Sequence, residues 1–306
     1  MCRYDRAGQD FLISYGTRAS MAEDWADKIA QRLTSQDSMQ TGICLILGAS
    51  DTGKTTLAES LAKCAASSRP VAVIDADIGQ SHIGPPAAVG WALVDKPDLS
   101  FSQLAVSGIS FVGDVTPVGH LLQLTAAIAQ CIRQASEAAE LIIIDTPGFI
   151  SGGPATALWW TVQRILRPKS ILAVQRSDEL SDIVAGLRSL DLALELIESP
   201  PEIPTKSSQN RRSYRQSKFN DYFHGSCLHN IRLSDIAIRS GRNSDRSGFV
   251  HRLVALRDEK GIDMAVGVIA DWQADRDIVI VRAPRLDARQ VRCLIIGDLS
   301  IEIHSE

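Results

Sequence analysis

No CxxC pair occurs among the six cysteines of this 306-residue chain, and it has no internal repeat and no low-complexity tract. The scattered thiols (Cys2, Cys44, Cys64, Cys131, Cys227, Cys293) therefore exclude a zinc site and read as reduced cysteines of a cytoplasmic protein, most of them small core residues. The longest apolar runs, Ile43–Leu47 and Leu141–Ile144, fall well short of the roughly 20 residues a membrane-spanning helix needs. The opening MCRYDRAGQDF lacks the apolar stretch of a secretory signal, so export is not expected. A strong excess of one charge is also missing: 32 Lys+Arg against 36 Asp+Glu leave a net charge of -4. That excludes a chain that coats nucleic acid over its whole surface, though not one with a local basic groove. With 45% hydrophobic and 22% charged residues, the chain is neither disordered nor fibrous and can bury a real core.

What is present falls into three stretches. Trp25, Ile29 and Leu33 recur every fourth residue, one face of an amphipathic helix within an N-terminal extension over 1–40. From Gly42 to about Ile197, short apolar runs alternate with helical segments. Strands are expected at Ile43–Leu47, Val71–Ile74, Ile109–Val112, Leu141–Ile144 and Ile171–Val174, with helices at Thr55–Ala65 and Leu121–Ala139 between them. Such a pattern predicts an α/β fold with a mainly parallel sheet flanked by helices. The breakers Ser199-Pro200-Pro201 and Ile203-Pro204 end this α/β region. A basic segment follows, with Lys206, Arg211, Arg212, Arg215 and Lys218 and no acid before Asn220. Over 225–306 the expected strands Gly248–Leu256, Asp263–Ala270, Asp277–Arg282 and Cys293–Ile303 suggest a small C-terminal, mainly-β domain.

Gly48-Ala49-Ser50-Asp51-Thr52-Gly53-Lys54-Thr55 fits GxxxxGK[ST] in full, between a strand and a good helix former. Its glycines let the backbone curl so that N–H groups face phosphate oxygens, and the helix N-terminus adds its dipole. Lys54 reaches the β- and γ-phosphates, Thr55 is placed to ligate Mg²⁺, and the nucleotide-binding set runs from Gly48 to Thr56. This predicts a nucleotide-binding protein. The next strand ends in Asp75-Ala76-Asp77-Ile78-Gly79-Gln80, where ligands gather in a parallel sheet. Period 2 puts Asp75 and Asp77 on one side, one for the Mg²⁺ shell and the other to take a proton from an attacking hydroxyl. Asp145-Thr146-Pro147-Gly148 matches the DxxG turn of GTPases equally well, but Gln175-Arg176-Ser177-Asp178 shares only its aspartate with a guanine reader.

Taken in order, these motifs resemble the polynucleotide 5′-hydroxyl kinases related to the eukaryotic RNA kinase of pre-mRNA cleavage and tRNA splicing, and to the kinase of pre-rRNA processing. The resemblance rests on the phosphate loop with its internal Asp51, the DADIGQ stretch, FVGDVTPVGH over 111–120, DTPG over 145–148, QRSDEL over 175–180, and Arg211-Arg212-Ser213-Tyr214-Arg215 leading to Phe219 and Tyr222-Phe223. It runs from about Thr41 to Glu306 and is closer to compact archaeal and bacterial members than to the eukaryotic ones.

The resemblance implies a P-loop kinase domain over 41–224 with a lid over 203–223, using ATP and Mg²⁺ to phosphorylate a nucleic acid with a 5′-hydroxyl end, RNA favoured. Lys54, Asp77, Arg211 and Arg215 become the catalytic set, and Thr55, Asp75 and Asp77 the metal set. Gln80, Thr116, Pro117, Gly119, His120, Thr146, Gly148 and Phe149 become the substrate-binding set. Phe149 stands where the family has a clasp tryptophan, and Asp114 adds a negative charge where a small polar residue is expected.

Other readings stay open beside it. Arg211 and Arg215, four apart, share a helix face that is either a lid over the transferring phosphate or a solvated basic surface. Thr116, Gly119 and His120 either touch RNA or cap the helix at Leu121. Trp159 and Trp160 are expected to pack in the core, and His82 to be structural. The alternative functions are a non-catalytic ATP-bound scaffold of an RNA-processing complex, a P-loop GTPase and a small-metabolite kinase.

Overall fold

The structure, a computed structural model, describes residues 21–96, 98–188, 190–240 and 248–302. Cys2 and the first half of the N-terminal extension lie outside the described residues. In chain order the helices are α1 (21–34), α2 (Lys54–Ala66), α3 (Leu121–Ala135), α4 (Gly153–Leu166), α5 (Ser181–Leu187) and α6 (Ser208–Phe223). The first strands are β1 (Gly42–Gly48), β2 (Val71–Asp75), β3 (Ala88–Leu93), β4 (Gly108–Phe111), β5 (Leu141–Asp145), β6 (Ser170–Gln175) and β7 (Ala193–Glu198). Those beyond α6 are β8 (Cys227–Arg232), β9 (Ala237–Ser240), β10 (Arg252–Arg257), β11 (Asp263–Gln273), β12 (Ile278–Ala283) and β13 (Cys293–Ser300).

Packing divides the chain into two compact units that interleave in sequence. The first takes the chain up to Val73, Val94–Ser100 and Ala139–Lys206. It is built on the parallel ladder β7-β6-β1-β5, with Ile43 opposite Ile142 and Leu45 opposite Ile171. Cys44, Leu45, Ile46 and Leu47 are all buried, as are all five residues of β5, so these strands are apolar on both faces instead of alternating. Helix α1 turns Ala26, Ala30 and Leu33 fully inward, next to the half-buried Trp25 and Ile29. Burial pushes the Cys44 thiol up to about 12, which keeps it an inert core residue.

The second unit takes Ile74–Leu93, Phe101–Ala138 and the chain from Ser207 onward. Its strands run β3-β4-β11-β10-β13-β9, with β12 paired to β11 and β8 paired to β12. The ladders are antiparallel except for β13–β9. Burial alternates along β12 in step with its pleat, the mark of a sheet with one face in the core. Within this unit, Asp263 of β11 pairs with Ile109 of β4, and its carboxylate accepts the Phe111 N–H at 2.8 Å. Helix α6 lies on this unit through Phe219 and Phe223, buried with Phe111, Leu253 and Val266, while Tyr222 Oη accepts the Val266 N–H at 3.0 Å. These three aromatics anchor the C-terminal half of that helix.

Two boundaries differ from expectation for local reasons that the structure shows. The strand expected from Gly248 begins only at Arg252, because His251 adopts a left-handed φ of 69° that breaks extension. Helix α3 ends at Ala135, where the Ser136 hydroxyl donates to the Ile132 carbonyl at 2.7 Å. Strands β3, β7, β8 and β9 go beyond those read from the sequence. Among the described residues no helix is long and apolar enough to cross a membrane, and the described cysteines are free thiols.

Candidate active site

In the first unit, the phosphate loop leaves β1 at Gly48 and enters α2 at Lys54. Gly53 caps the helix with a φ of 89°, a conformation that side chains resist. A Cβ there would meet Ile203 Cδ1 at 2.7 Å and Trp25 Cζ3 at 3.1 Å, so α1 and the 200–206 segment both abut the loop. Lys54 is 6% exposed and its Nζ donates to the Ala49 carbonyl at 2.6 Å. Thr55 Oγ1 donates to Asp145 Oδ2 at 2.5 Å, which joins the loop to the end of β5 across 90 residues of sequence. In the sequence Asp145 stands only as part of an ambiguous DTPG turn; its place at the end of a buried strand paired with β1 is the signal that marks it.

Asp51 has a φ of 60°, tolerable for aspartate. Its Oδ2 accepts the Lys206 N–H at 3.0 Å, and its carbonyl accepts Arg176 Nη2 at 2.7 Å. The same Arg176 nitrogen donates to the Ile203 carbonyl at 3.0 Å. Glu179 holds this turn by accepting the N–H groups of Arg176 and Ser177. Partial burial would raise its carboxyl, but these donors prevail and hold it below the usual value. The segment that fails as a guanine reader thus buttresses the phosphate loop.

Gly148 lies against that loop as well. A Cβ would sit 2.4 Å from Ser50 N and 2.7 Å from Ser50 Cα, both main-chain atoms. Thr146 is wholly buried and spends its hydroxyl on the Ile46 carbonyl at 2.6 Å. The Phe149 carbonyl accepts Trp159 Nε1 at 2.7 Å, which satisfies the indole of a fully buried tryptophan. Trp160, by contrast, is 45% exposed. Gly148→Ala should displace the loop at an overpacking cost of about 1–3 kcal/mol, weakening ATP binding roughly tenfold or more. Calorimetric titration checks this; an unchanged affinity would show that the loop yields freely.

In the second unit, Asp75 and Asp77 have different surroundings. Asp75 is wholly buried and accepts three main-chain N–H groups: Asp77 at 3.0 Å, His82 at 2.5 Å and Ile83 at 3.0 Å. Burial, then the Asp77 carboxylate, push its carboxyl up to about 7, against the pull of those donors. Asp77 is half-buried, and both of its bonds, from Gly79 N and Gln80 N at 3.0 Å, fall on Oδ1. Because the folded state holds the Asp75 proton more tightly than the unfolded chain, this group's contribution to stability is full below about pH 4 and fades as pH rises to about 7. The melting temperature of the ligand-free protein should carry that falling component, and Asp75→Asn should remove it. Parallel pH profiles for the two proteins would contradict the assignment.

Across the 114–120 turn, Asp114 Oδ1 accepts the N–H groups of Val115 at 2.6 Å and Thr116 at 3.1 Å, so its charge is used in the turn itself. Thr116 Oγ1 accepts the Val118 N–H, Gly119 has a φ of 83°, and Pro117 is buried. His120 is 7% exposed, with Nδ1 3.1 Å from the Val118 carbonyl and Nε2 3.1 Å from Asp298 Oδ2. Of the turn residues assigned to the substrate, Thr116 and Gly119 are exposed, beside the exposed Val118.

Helix α6 is capped by Ser207, whose hydroxyl accepts the Asn210 N–H at 3.1 Å. Arg211, Tyr214, Arg215 and Lys218 are half-buried at helical spacing, whereas Arg212 is exposed, so one face of the helix is turned to the protein. Tyr214 Oη donates to the Ser81 carbonyl at 3.1 Å, and its ring lies 5.7 Å from that of His82. The DADIGQ stretch and the two arginines therefore belong to one packed unit.

Comparison with known proteins shows what the chain is similar to. The polyribonucleotide 5′-hydroxyl-kinase of Pyrococcus abyssi is 32% identical over 195 residues, 63% of this chain and 54% of that protein. The kinase of the same name from Thermococcus kodakarensis is 28% identical over 265 residues, 84% of this chain and 73% of that protein. A CLP1 homolog of Culex quinquefasciatus is 25% identical over 224 residues, 66% of this chain and 52% of that protein. The chain spans about half the length of the Pyrococcus relatives it matches. In fold it is similar to a chain of the solved Clp1p–Pcf11p complex, with a TM-score of 0.67, 14% identity and coverage of 90% of this chain and 77% of that one. The family described as the mRNA cleavage and polyadenylation factor CLP1 P-loop matches residues 48–225, from the first glycine of the phosphate loop to just beyond the basic helix. With more than half of its length inside that match, the chain belongs to the CLP1 P-loop family.

Proposed function

We propose that this protein transfers the γ-phosphate of ATP to the 5′-hydroxyl end of a polynucleotide, RNA in preference to DNA. The observation that carries the reading is the Thr55–Asp145 pair at 2.5 Å behind a complete phosphate loop. A hydroxyl and a carboxylate side by side are hard oxygen donors, the type Mg²⁺ takes together with nucleotide phosphates. Thr55 and Asp145 would hold that ion, which when bound neutralises charge on the β- and γ-phosphates. Archaeal relatives of this chain carry the name polyribonucleotide 5′-hydroxyl-kinase, which supports the same acceptor.

The chain's own residues then divide the work. The loop amides and Lys54 bind the phosphates and Lys54 follows the transferring group, for which its contact with Ala49 must give way. Asp77 takes the proton of the 5′-hydroxyl on Oδ2, since its two main-chain donors occupy Oδ1. Arg211 and Arg215 close over the equatorial oxygens as charge spreads there. Thr116, Gly119 and Phe149 are assigned to the polynucleotide. The free thiols support a reducing, cytoplasmic setting.

An acceptor panel tests this reading. Purified protein with labelled ATP and Mg²⁺ should label 5′-hydroxyl RNA, label the same oligonucleotide bearing a 5′-phosphate not at all, and lose activity with chelator. Labelling of small polyols but of no oligonucleotide would replace it by a metabolite kinase. Retained ATP with no transfer to any acceptor would replace it by a scaffold.

A further inference from the structure

Helix α6 is held at its two ends by different means. Its C-terminal half is fixed by an apolar cluster through Phe219 and Phe223 and by the Tyr222–Val266 bond. Its N-terminal half, which carries Arg211 and Arg215, presents few large apolar groups and is far more polar. Tyr214 is the aromatic side chain of that half. Its hydroxyl reaches the Ser81 carbonyl at 3.1 Å, and its ring contacts His82 while Lys218 Nζ lies 5.7 Å above it. Ser81 directly follows Gln80, and the same loop is organised by Asp75 and Asp77 through five main-chain N–H bonds.

From this arrangement we infer that Tyr214 is a positioning residue for phosphoryl transfer: its hydroxyl latches the arginine-bearing half of α6 to the loop that carries Asp77. Tyr214 lies three residues after Arg211 and immediately before Arg215, on the face that both share. The Ser81 carbonyl thereby sets the distance between the arginines and the acceptor-side carboxylate. Loss of the hydroxyl leaves the apolar anchor intact and the helix folded, but frees the half that must be in register during transfer. Geometry is the quantity at stake, since small displacements of catalytic groups have large effects on rate. The inference rests on the kinase reading for its catalytic consequence and on the fold alone for the latch.

The test is the full-length protein with Tyr214→Phe, which deletes one hydroxyl and keeps the ring. Hydrogen–deuterium exchange should quicken over residues 208–215 and stay unchanged over 216–223, with the melting temperature within a few degrees of wild type. At saturating ATP and 5′-hydroxyl RNA, kcat should fall about tenfold, while KM for ATP stays within a few-fold. Tyr214→Ala, which also removes the ring contact with His82, should exceed both effects. Unchanged exchange over 208–215 overturns the latch. Faster exchange with a wild-type kcat overturns the positioning role, as does a parallel loss of kcat, ATP affinity and stability, which would mark a merely structural residue. Should the wild-type protein phosphorylate nothing, the kinase reading fails together with the role in transfer, and the exchange comparison alone decides the latch.

Discussion

Alanine at Arg211 or Arg215 should lower phosphoryl transfer by up to roughly 10³-fold, the range associated with arginine fingers, with ATP affinity kept within several-fold. Ground-state binding comes from the phosphate loop, whose amides, helix dipole and Lys54 are untouched by either change. In the proposed mechanism the arginines act only as charge spreads over the equatorial oxygens, so their loss should fall on kcat. Lysine should rescue poorly at both positions, because a compact ammonium cannot present the planar fork that spans two oxygens. Arg212, the exposed arginine of the same helix, is the internal control, and its alanine variant should transfer at close to the wild-type rate. Rapid-quench measurement at saturating ATP and RNA separates these outcomes. Wild-type rates for both alanine variants would reduce the half-buried face of α6 to a scaffold surface.

Asp77→Asn should cut turnover by roughly 10²-fold or more, the scale of a lost general base, while ATP still binds. The amide keeps an oxygen for the Gly79 and Gln80 N–H groups, so the loop retains its shape and only the proton acceptor is lost. Asp75→Asn is the necessary contrast. It removes an acceptor oxygen from a buried carboxylate that serves three main-chain donors, so its damage should appear first in stability. If Asp77→Asn turned over normally, the base would have to be sought elsewhere on the acceptor side.

Much of this was legible in the sequence where one physical rule dominates. The parallel strands β1, β5 and β6 are buried on both faces, which leaves continuous apolar runs that no other element imitates at that length. The phosphate loop is legible because each glycine meets a backbone need. The aromatic anchors Phe219, Tyr222 and Phe223 stand out against an otherwise polar helix. Less local features were hidden. Strand β3 reads Ala-Val-Gly-Trp-Ala-Leu, with a glycine and two alanines in place of a β-branched run, and β7 is largely exposed.

Asp75 and Asp77 look equivalent at a spacing of two. The strand ends at Asp75, however, so the pleat no longer relates them, and burial claims one while the other stays partly open. The Thr55–Asp145 pair, the Arg176 buttress and the Tyr214–Ser81 contact each join residues at least 90 apart in sequence. Spacing alone carries no sign of such pairs.

The central claim is that the γ-phosphate goes to a 5′-hydroxyl and not to water. Counting ADP released against 5′-phosphorylated ends formed, in one reaction of purified protein, ATP, Mg²⁺ and excess 5′-hydroxyl RNA, tests it most directly. The account predicts one new 5′-phosphate for each ADP and negligible ADP when the RNA is already 5′-phosphorylated. ADP accumulating without phosphorylated ends, at a rate indifferent to the RNA, would contradict it.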